Sequence, residues 1–402
     1  MATSALTPAR TTPKAAVALA SASFGVIGGC LTLPGSLLPI LVESFHIRLV
    51  EAGSMLALQS IGYLASVLTA RWLIARFGAR RVVSAGLAIF ALGIASFGTV
   101  STWIAGAAAM LVSGIGFGSM EVACNALTLA LGGARNINLL NFIHLFFGVG
   151  SLATPAVVTR LAAGGVSWRI LFVAAGVATM LVALSWTLVD DVRAEEAAHE
   201  HGRHTASRLV PFLLASVIGL YVGVEMGVGA WLTKFLVSSG ASLPFAGNVL
   251  SSYWLGLAAG RFALTFVAHY VAEERLLLAL AATSTVALTA AVSLSGNAAA
   301  VAFALTGAGY SGIFPIVIAL GGRHQPEDPA GITSVLIAGA GIGGIVLPWL
   351  MSAISDAVSL TAGMRFYAAM TGLMTLVVAT YLRTRTPLPP SLPRPLEAEA
   401  RG

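Results

Sequence analysis

The chain alternates between long apolar runs and short polar interruptions. Each run is close to the length of about 20 residues that an α-helix needs to cross a bilayer. Six runs precede a longer polar gap and six follow it, so the pattern predicts an all-α polytopic membrane protein with twelve transmembrane helices in two six-helix bundles. We number the predicted helices 1 to 12, at 15–42, 52–74, 80–99, 104–131, 138–162, 168–188, 209–236, 244–268, 275–295, 298–321, 330–353 and 362–383.

The polar stretches predict the domain boundaries. We expect a cytoplasmic tail, an N-terminal bundle, a cytoplasmic linker, a C-terminal bundle and a proline-rich disordered tail, at 1–14, 15–188, 189–208, 209–385 and 386–402. The linker contains His199, His201 and His204, which raises a metal site as an alternative, but the many charges around them favour a solvated connection. The first apolar run is not followed by a small-residue cleavage site, so we expect a retained helix rather than a signal peptide.

Composition excludes a soluble globular protein. The chain is 57% hydrophobic and only 9% charged, against roughly a quarter charged in soluble domains. Cys30 and Cys124 lie inside apolar runs, which indicates packing roles and neither a disulfide framework nor metal ligands. No HExxH motif, GxSxG context or pair of facing aspartates is found, so we expect no enzyme activity, no metal and no cofactor.

The basic residues predict the orientation in the membrane. The net charge is +6, but the basic residues are scattered through short loops, which argues against nucleic-acid binding. If the N-terminus is cytoplasmic, 17 of the 22 Lys and Arg residues fall on the cytoplasmic side, Arg261 among them, and five fall on the other side. We therefore expect both termini in the cytoplasm of a bacterium, in a multi-pass protein of the inner membrane. The lipid bilayer is its expected environment and a monomer its expected state.

Two acidic residues, Glu121 and Glu225, lie deep inside apolar runs. An ionisable residue at such a position is costly and marks a functional site. A carboxyl group in a medium of low dielectric is held neutral and releases its proton when water or a substrate reaches it. The two glutamates are therefore the predicted proton-coupling residues of a transporter. The alternative for Glu121 is a permanently protonated side chain that hydrogen-bonds a neighbouring helix.

Polar residues near these acids are the candidate substrate contacts in the N-terminal bundle. Asn125 lies one helical turn after Glu121, and Asn141 and His144 follow in helix 5. Amides suit hydroxyl-rich ligands because each offers donors and an acceptor. His144 suits a proton relay, with a structural cap of the turn between helices 4 and 5 as the equal alternative. Gln59 in helix 2 is a lone buried amide and a further candidate for lining the pore.

Aromatic residues supply the candidates in the C-terminal bundle. Tyr221 lies one turn before Glu225 in the glycine-rich helix 7, where bending beside a cavity is expected. Trp254 in helix 8 suits stacking on the apolar face of a sugar, although helix or lipid packing is a slightly better explanation. In helix 10, Tyr310 and the Phe314–Pro315 pair predict a bend into the cavity.

The loop after helix 2, ARWLIARFGARRVV, gives the first family resemblance. Arg76, Gly78, Arg80 and Arg81 match the second part of the loop motif that locks helices at the cytoplasmic face in the major facilitator superfamily. Arg71 and Ala75 stand where that motif has its leading glycine and its acid, so the match is partial. A generic positive loop is the alternative for this motif alone. Together with the six-plus-six pattern, the chain resembles this superfamily.

Five stretches carry a closer resemblance: EVACNAL, NLLNFIHLFFGVGSLATP, YVGVEMGVGAW, YWLGLAAGRF and SGIFPIVIAL. They are similar, in the same order, to the fucose permease-type branch of proton symporters for fucose, galactose and glucose. The resemblance implies that Glu121 and Asn125 line a central cavity and that Asn141 contacts a polar ligand. Fucose permease has an acid in helix 1 where LPGSLLP has Gly35 here. We therefore expect Glu225, in the twofold-related helix 7, to substitute for it.

Three functions fit this pattern. We favour a proton-coupled transporter that moves a small polar solute, a sugar in the first place, by alternating access. The alternative is a proton-driven efflux antiporter of an amphipathic or cationic compound, because two acids in an apolar, glycine-rich cavity suit a cation equally well. A sensor or scaffold without transport activity is the third and least favoured, since it would gain nothing from buried acids.

Overall fold

The computed structural model describes residues 13–132, 136–189, 209–267, 270–326 and 328–384. These residues form thirteen α-helices and no strands. The helices are α1 Pro13–Phe45, α2 Leu49–Phe77, α3 Ala79–Phe97, α4 Trp103–Gly132, α5 Asn136–Ala163, α6 Trp168–Ser185, α7 Leu209–Ser238, α8 Leu243–Val267, α9 Glu273–Ala291, α10 Gly296–Tyr310, α11 Ile313–His324, α12 Pro329–Ala357 and α13 Leu360–Thr384. Almost all of the predicted tails and linker lie outside the described residues, so those boundaries stay predictions.

The thirteen helices form twelve membrane crossings in two halves, α1–α6 and α7–α13. Eleven segments of the described chain are long and apolar enough to span a bilayer, and one of them, Gly296–His324, contains both α10 and α11. The twelfth crossing is α8, which packs against α5, α7 and α10. The predicted all-α polytopic fold is therefore confirmed, with one predicted helix divided in two.

The division of predicted helix 10 follows from Pro315. Proline has no backbone N–H, so it cannot donate to the carbonyl four residues earlier, which is that of Ser311. The structure interrupts the helix at Ser311 and Gly312. The sequence indicated a bend near Phe314–Pro315, and the interruption begins three residues before Phe314. The released carbonyl of Ser311 needs a donor from another helix.

Small residues allow close helix packing within each half. In the N-terminal half, α2 and α3 both pack on α4. A Cβ atom placed on Gly114 of α4 would lie 2.0 Å from the carbonyl oxygen of Gln59 in α2, so only glycine permits this backbone approach. In the C-terminal half, α12 packs on α7 and α10 packs on α8. Both halves therefore present closely packed helices around their central acids.

Within the described residues, the two halves meet mainly where α1 packs on α7, α2 on α12 and α5 on α8. We call the membrane face that carries the α1–α2 loop the first-loop face. The Asp356 carboxylate, at the end of α12, accepts hydrogen bonds from the backbone N–H groups of Leu49 and Val50, at 2.9 and 3.0 Å. On the same side of the molecule, the N–H of Ala156 donates to Ser251 Oγ at 3.1 Å. These bonds hold the two halves together at the first-loop face.

The cap that Asp356 forms across the halves should stabilise this conformation. Removing a helix N-cap costs about 0.5–2 kcal/mol. Asp356→Ala should therefore lower the ratio of molecules with a closed first-loop face to molecules with an open one by roughly 2- to 30-fold. The measurement is the distribution of distances between spin labels on introduced cysteines at the exposed positions Glu43 and Ser239.

Glu51→Ala is the matched control for Asp356→Ala. The Glu51 carboxylate accepts from the backbone N–H of Arg48 at 2.7 Å and so caps α2 from within the same half. Its loss should lower stability without changing the distance distribution. Equal shifts in both variants would contradict a role of Asp356 in holding the halves together.

Candidate functional site

Glu121 lies on the contact between α4 and α2. The residue is half-buried, and its side chain lies within hydrogen-bonding reach of the Tyr63 hydroxyl on α2. Its Oε2 atom is inaccessible and has no hydrogen-bond partner among the described residues. A buried oxygen without a partner is costly. The carboxyl group is therefore held by one tyrosine and keeps one position for a proton or a ligand donor.

Asn125 and His144 form a pair that joins α4 to α5. The distance between His144 Nε2 and Asn125 Oδ1 is 3.1 Å. The imidazole ring also packs on the Phe24 ring of α1, with the ring centroids 4.4 Å apart. His144 thus contacts side chains of α1 and α4 inside the bundle, and the turn between α4 and α5 lies outside the described residues. Because the Asn125 amide oxygen is bound to His144, the two N–H donors of this amide remain available for another acceptor.

Two further amides complete the predicted N-terminal set. Gln59 Nε2 donates to Ser113 Oγ at 3.0 Å, which places this side chain in the α2–α4 interface, one turn before Tyr63. Its amide is thus engaged within the bundle. Asn141 belongs to α5, three residues before His144, but its side chain lies outside the described part of the structure.

Glu225 is a buried acid of α7 in the C-terminal half. The residue is 7% exposed, and its carboxyl group lies within hydrogen-bonding reach of the Tyr221 hydroxyl one turn earlier on α7. Tyr253 of α8 donates its hydroxyl to the backbone carbonyl of Glu225 at 3.0 Å. Each half of the molecule therefore holds one glutamate against one tyrosine hydroxyl.

Arg261 is a further charged residue of this region, and the distribution of basic residues along the sequence assigned it to the cytoplasmic side. It lies on α8, six residues before the end of that helix at Val267, and it is exposed. Its Nε donates to the Ser311 carbonyl at 3.2 Å, which is the carbonyl released by Pro315. Arg261 also interacts with Tyr221 by a side-chain hydrogen bond. The guanidinium thus supplies the donor that the interruption between α10 and α11 needs.

Aromatic residues pack around the Glu225 side of the cluster. The rings of Tyr221 and Tyr310 meet edge to face, with centroids 5.8 Å apart. The Tyr310 hydroxyl is 2.8 Å from Thr371 Oγ1, so it is engaged with α13. Trp254 is buried against α7, where a Cβ on Gly229 would lie 2.8 Å from its ring. The Trp254 Nε1 donor has no acceptor among the described residues.

Gly35 occupies a tight contact between the halves. A Cβ atom on Gly35 would lie 2.6 Å from the carbonyl oxygen of Gly229 and 2.9 Å from the Cα of Ala230. In this conformation the backbone of α7 therefore fills the position where the resemblance to fucose permease calls for an acid. Glu225 stands one turn before Gly229 on the same helix.

The predicted gating residues lie at the junction of α2 and α3. Gly78 has φ 83°, a backbone conformation that favours glycine, and it joins the two helices directly. Arg80 donates from its Nη1 to the Trp186 carbonyl at 3.2 Å, at the end of the sixth crossing. The Arg76 guanidinium lies over the ring of Trp72, 5.7 Å from its centroid. Arg81 is exposed.

Comparison with known proteins identifies the family. Residues 18–331 match the family model described as Major Facilitator Superfamily. The chain belongs to the major facilitator superfamily. It is accordingly a multi-pass membrane transporter and not an enzyme, and the superfamily resemblance of the loop motif and the six-plus-six pattern is confirmed.

Relatives and solved structures extend this result. The glucose/mannose transporter GlcP of Bacillus subtilis is 22% identical over 395 residues, which cover 92% of this chain and 96% of that protein. The fucose:proton symporter FucP of Escherichia coli has a TM-score of 0.62 at 21% identity, covering 92% of this chain and 98% of that one. The inward-open xylose transporter XylE of Escherichia coli has a TM-score of 0.78 at 13% identity, covering 96% of this chain and 100% of that one. The resemblance to the fucose permease-type branch is thereby confirmed.

The Asn125–His144 pair predicts non-additive mutations. If the two side chains act as a unit on the solute, Asn125→Ala and His144→Ala should each raise the half-saturating solute concentration by roughly 3- to 10-fold. The double variant should be no worse than about the poorer single variant. Thr128→Val, on the same helix and with a hydroxyl that donates to the Cys124 carbonyl, is the control. The measurement is solute exchange in proteoliposomes, and additive losses would contradict a shared role.

Proposed function

We propose that this transporter moves a small polar solute, a sugar in the first place, together with protons. Glu121 and Glu225 handle the protons in this proposal, and alternating access of the two halves moves the solute. The observation that carries the proposal is the placement of one glutamate in each half, beside Tyr63 and Tyr221 respectively. A carboxyl group that is held by a single hydroxyl inside a membrane gains or loses a proton at a cost that a bound solute can change.

The proposed solute contacts are polar groups with unused hydrogen-bonding capacity. They include the Asn125 amide, the His144 ring and the Trp254 Nε1 donor. The proposed set is completed by Asn141, Tyr221, Tyr310 and Gln59. We propose that Tyr310 and Gln59 position neighbouring groups, because their polar atoms already have protein partners. The printed names of GlcP, FucP and XylE refer to sugars, which supports a sugar as the solute.

We further propose a location in the bacterial inner membrane, as a monomer, with both termini in the cytoplasm. The Lys and Arg distribution supports this orientation. It places the first-loop face on the outer side, so that the hydrogen bonds of Asp356 close the outer entrance. Arg76, Gly78, Arg80 and Arg81 then lie at the cytoplasmic face, as proposed gating residues between α2, α3 and the end of the sixth crossing.

Efflux of a cationic compound is disfavoured by Arg261. Its guanidinium acts electrostatically on Glu225 and on His144, so a permanent positive charge stands between the two halves. A cation entering this region would be repelled by a charge of the same sign. Uptake of a neutral or anionic polar solute is the function that this charge favours.

Purified protein in proteoliposomes with an internal pH dye tests the proposal. Glucose, mannose, fucose, xylose and gluconate are added outside in turn, and the compound that is transported should acidify the lumen within the time of its entry. Cationic dyes of similar size should produce no proton movement in either direction. Proton release driven by the dyes, with all five compounds silent, would instead establish efflux.

A further inference from the structure

The charge of Arg261 is not matched by a carboxylate at contact distance. In the parts of the chain that the structure describes, ion pairs within 4.0 Å involve Arg48 and Arg323 but not Arg261. Of the five N–H donors of its guanidinium, one binds the Ser311 carbonyl and another interaction goes to Tyr221. An exposed guanidinium with unused donors is the side chain best suited to bind a carboxylate through two parallel hydrogen bonds.

The groups that face Arg261 come from the three helices packed on α8. They are His144 from α5, Tyr221 and Glu225 from α7, and the Ser311 carbonyl at the end of α10. Tyr253 adds a further hydroxyl from α8 itself. Glu225 is the acid of this set, and it acts on Arg261 at a longer range than an ion pair. The guanidinium can therefore accept an anion that arrives from outside the protein.

We propose that Arg261 binds a carboxylate of the transported solute, which makes the solute a sugar acid, and that the proton on Glu225 accompanies it. This inference rests on the proposed proton-coupled transport and specifies its solute. The His144–Asn125 pair of the opposite half would then contact the hydroxyl groups, so that one solute bridges the two halves.

Charge balance explains why proton and solute move together. An ionised Glu225 and a solute carboxylate compete for one guanidinium, because each is attracted to it and they repel each other. When Glu225 carries a proton, Arg261 is left to the solute. When the proton leaves, Glu225 attracts Arg261 again and the solute is released. One proton and one monocarboxylate add no net charge to the transported load, whereas one proton and a neutral hexose add one positive charge.

Binding to wild-type protein is the first test, and it needs no variant. Calorimetry with gluconate and with its neutral amide analogue gluconamide compares two ligands that differ in the carboxylate alone. Hydrogen bonds to a charged group support a ratio of about 10-fold or more in favour of gluconate. Equal affinities would overturn the inference.

Variants of Arg261 localise the effect. Arg261→Gln should remove the preference for gluconate, and Arg261→Lys should retain part of it, because lysine keeps the charge but not the two parallel donors. Arg365→Gln is the control, since it removes an exposed arginine of the same half from the first-loop end of α13. If the preference survives in a folded Arg261→Gln, or disappears in Arg365→Gln as well, the inference is wrong.

Flux measurements separate this inference from the proposed function. With a pH gradient across proteoliposomes, gluconate uptake should be indifferent to a membrane potential set by potassium and valinomycin. Uptake of glucose with protons, accelerated by an inside-negative potential and unchanged in Arg261→Gln, would overturn the inference and leave proton coupling standing. Selective gluconate binding without any proton movement would support Arg261 as the carboxylate site and overturn the proposed coupling.

Discussion

Glu121→Gln should abolish solute accumulation and leave solute exchange. With one proton per solute, a gradient of two pH units supports an accumulation ratio of about 100, because each pH unit corresponds to about 1.4 kcal/mol. Glutamine keeps the size and hydrogen-bonding capacity of the side chain beside Tyr63 but carries no exchangeable charge. The ratio should fall to about 1, as uncoupled transport equilibrates the solute. The measurement is labelled-solute uptake driven by an imposed pH gradient.

Exchange of labelled for unlabelled solute in the same vesicles is the internal control for Glu121→Gln. Exchange requires binding and movement of the two halves but no net proton transfer, so it should continue at a rate within about threefold of the wild type. Loss of exchange together with accumulation would point to a binding or structural role for Glu121. Accumulation at the wild-type level would remove Glu121 from the proton path.

Gly35→Ala should have the second large effect, through the contact between α1 and α7. The added Cβ atom would meet the Gly229 carbonyl at 2.6 Å, and overpacking of this kind costs about 1–3 kcal/mol. Because this contact joins α1 to α7 across the two halves in the closed first-loop conformation, we expect the cost to fall on that state of the transport cycle. The population of that state should drop by roughly 5- to 150-fold relative to the open state. The spin-label distance between positions 43 and 239 reports the shift.

Gly148→Ala is the matched substitution for Gly35→Ala. Gly148 also lies between the halves, on α5, but its added Cβ would lie 3.8 Å from the Cβ of Ala258, an ordinary contact. Transport and the distance distribution should remain within about twofold of the wild type. Equal effects of the two alanines would show that helix flexibility, and not the space at Gly35, controls closure.

Much of the architecture could be predicted because the membrane imposes it. A crossing helix must be apolar over about 20 residues, so runs such as 15–42 and 209–236 are visible without any knowledge of packing. The two glutamates are visible for the same reason, since a carboxyl group stands out in an apolar run. The structure places each of them against a tyrosine. The spacing of four residues in helix 7 already put Tyr221 on the same face as Glu225. The contact of Tyr63 with Glu121 was not predicted, because it depends on how α2 is rotated against α4.

The direction in which the Arg261 side chain reaches could not be predicted from the sequence pattern. A count of basic residues assigns an arginine near the end of a crossing to the nearer membrane face, whether it reaches towards the lipid headgroups or towards the protein interior. The direction is decided by close packing of α8 on α10, where a Cβ on Gly260 would lie 2.6 Å from Ser311 Oγ. The sequence feature that could have predicted this direction is Pro315, because proline leaves the Ser311 carbonyl without its donor within the helix.

The most direct test of proton coupling is the zero-flux condition in wild-type proteoliposomes. Gluconate and glucose gradients are varied against a fixed pH gradient, under a clamped membrane potential of zero, until net solute flux stops. Coupling to one proton predicts that the opposing solute ratio rises by about tenfold for each unit of pH difference, for whichever solute is transported. A zero-flux point at equal solute concentrations, whatever the pH difference, would contradict proton-coupled transport.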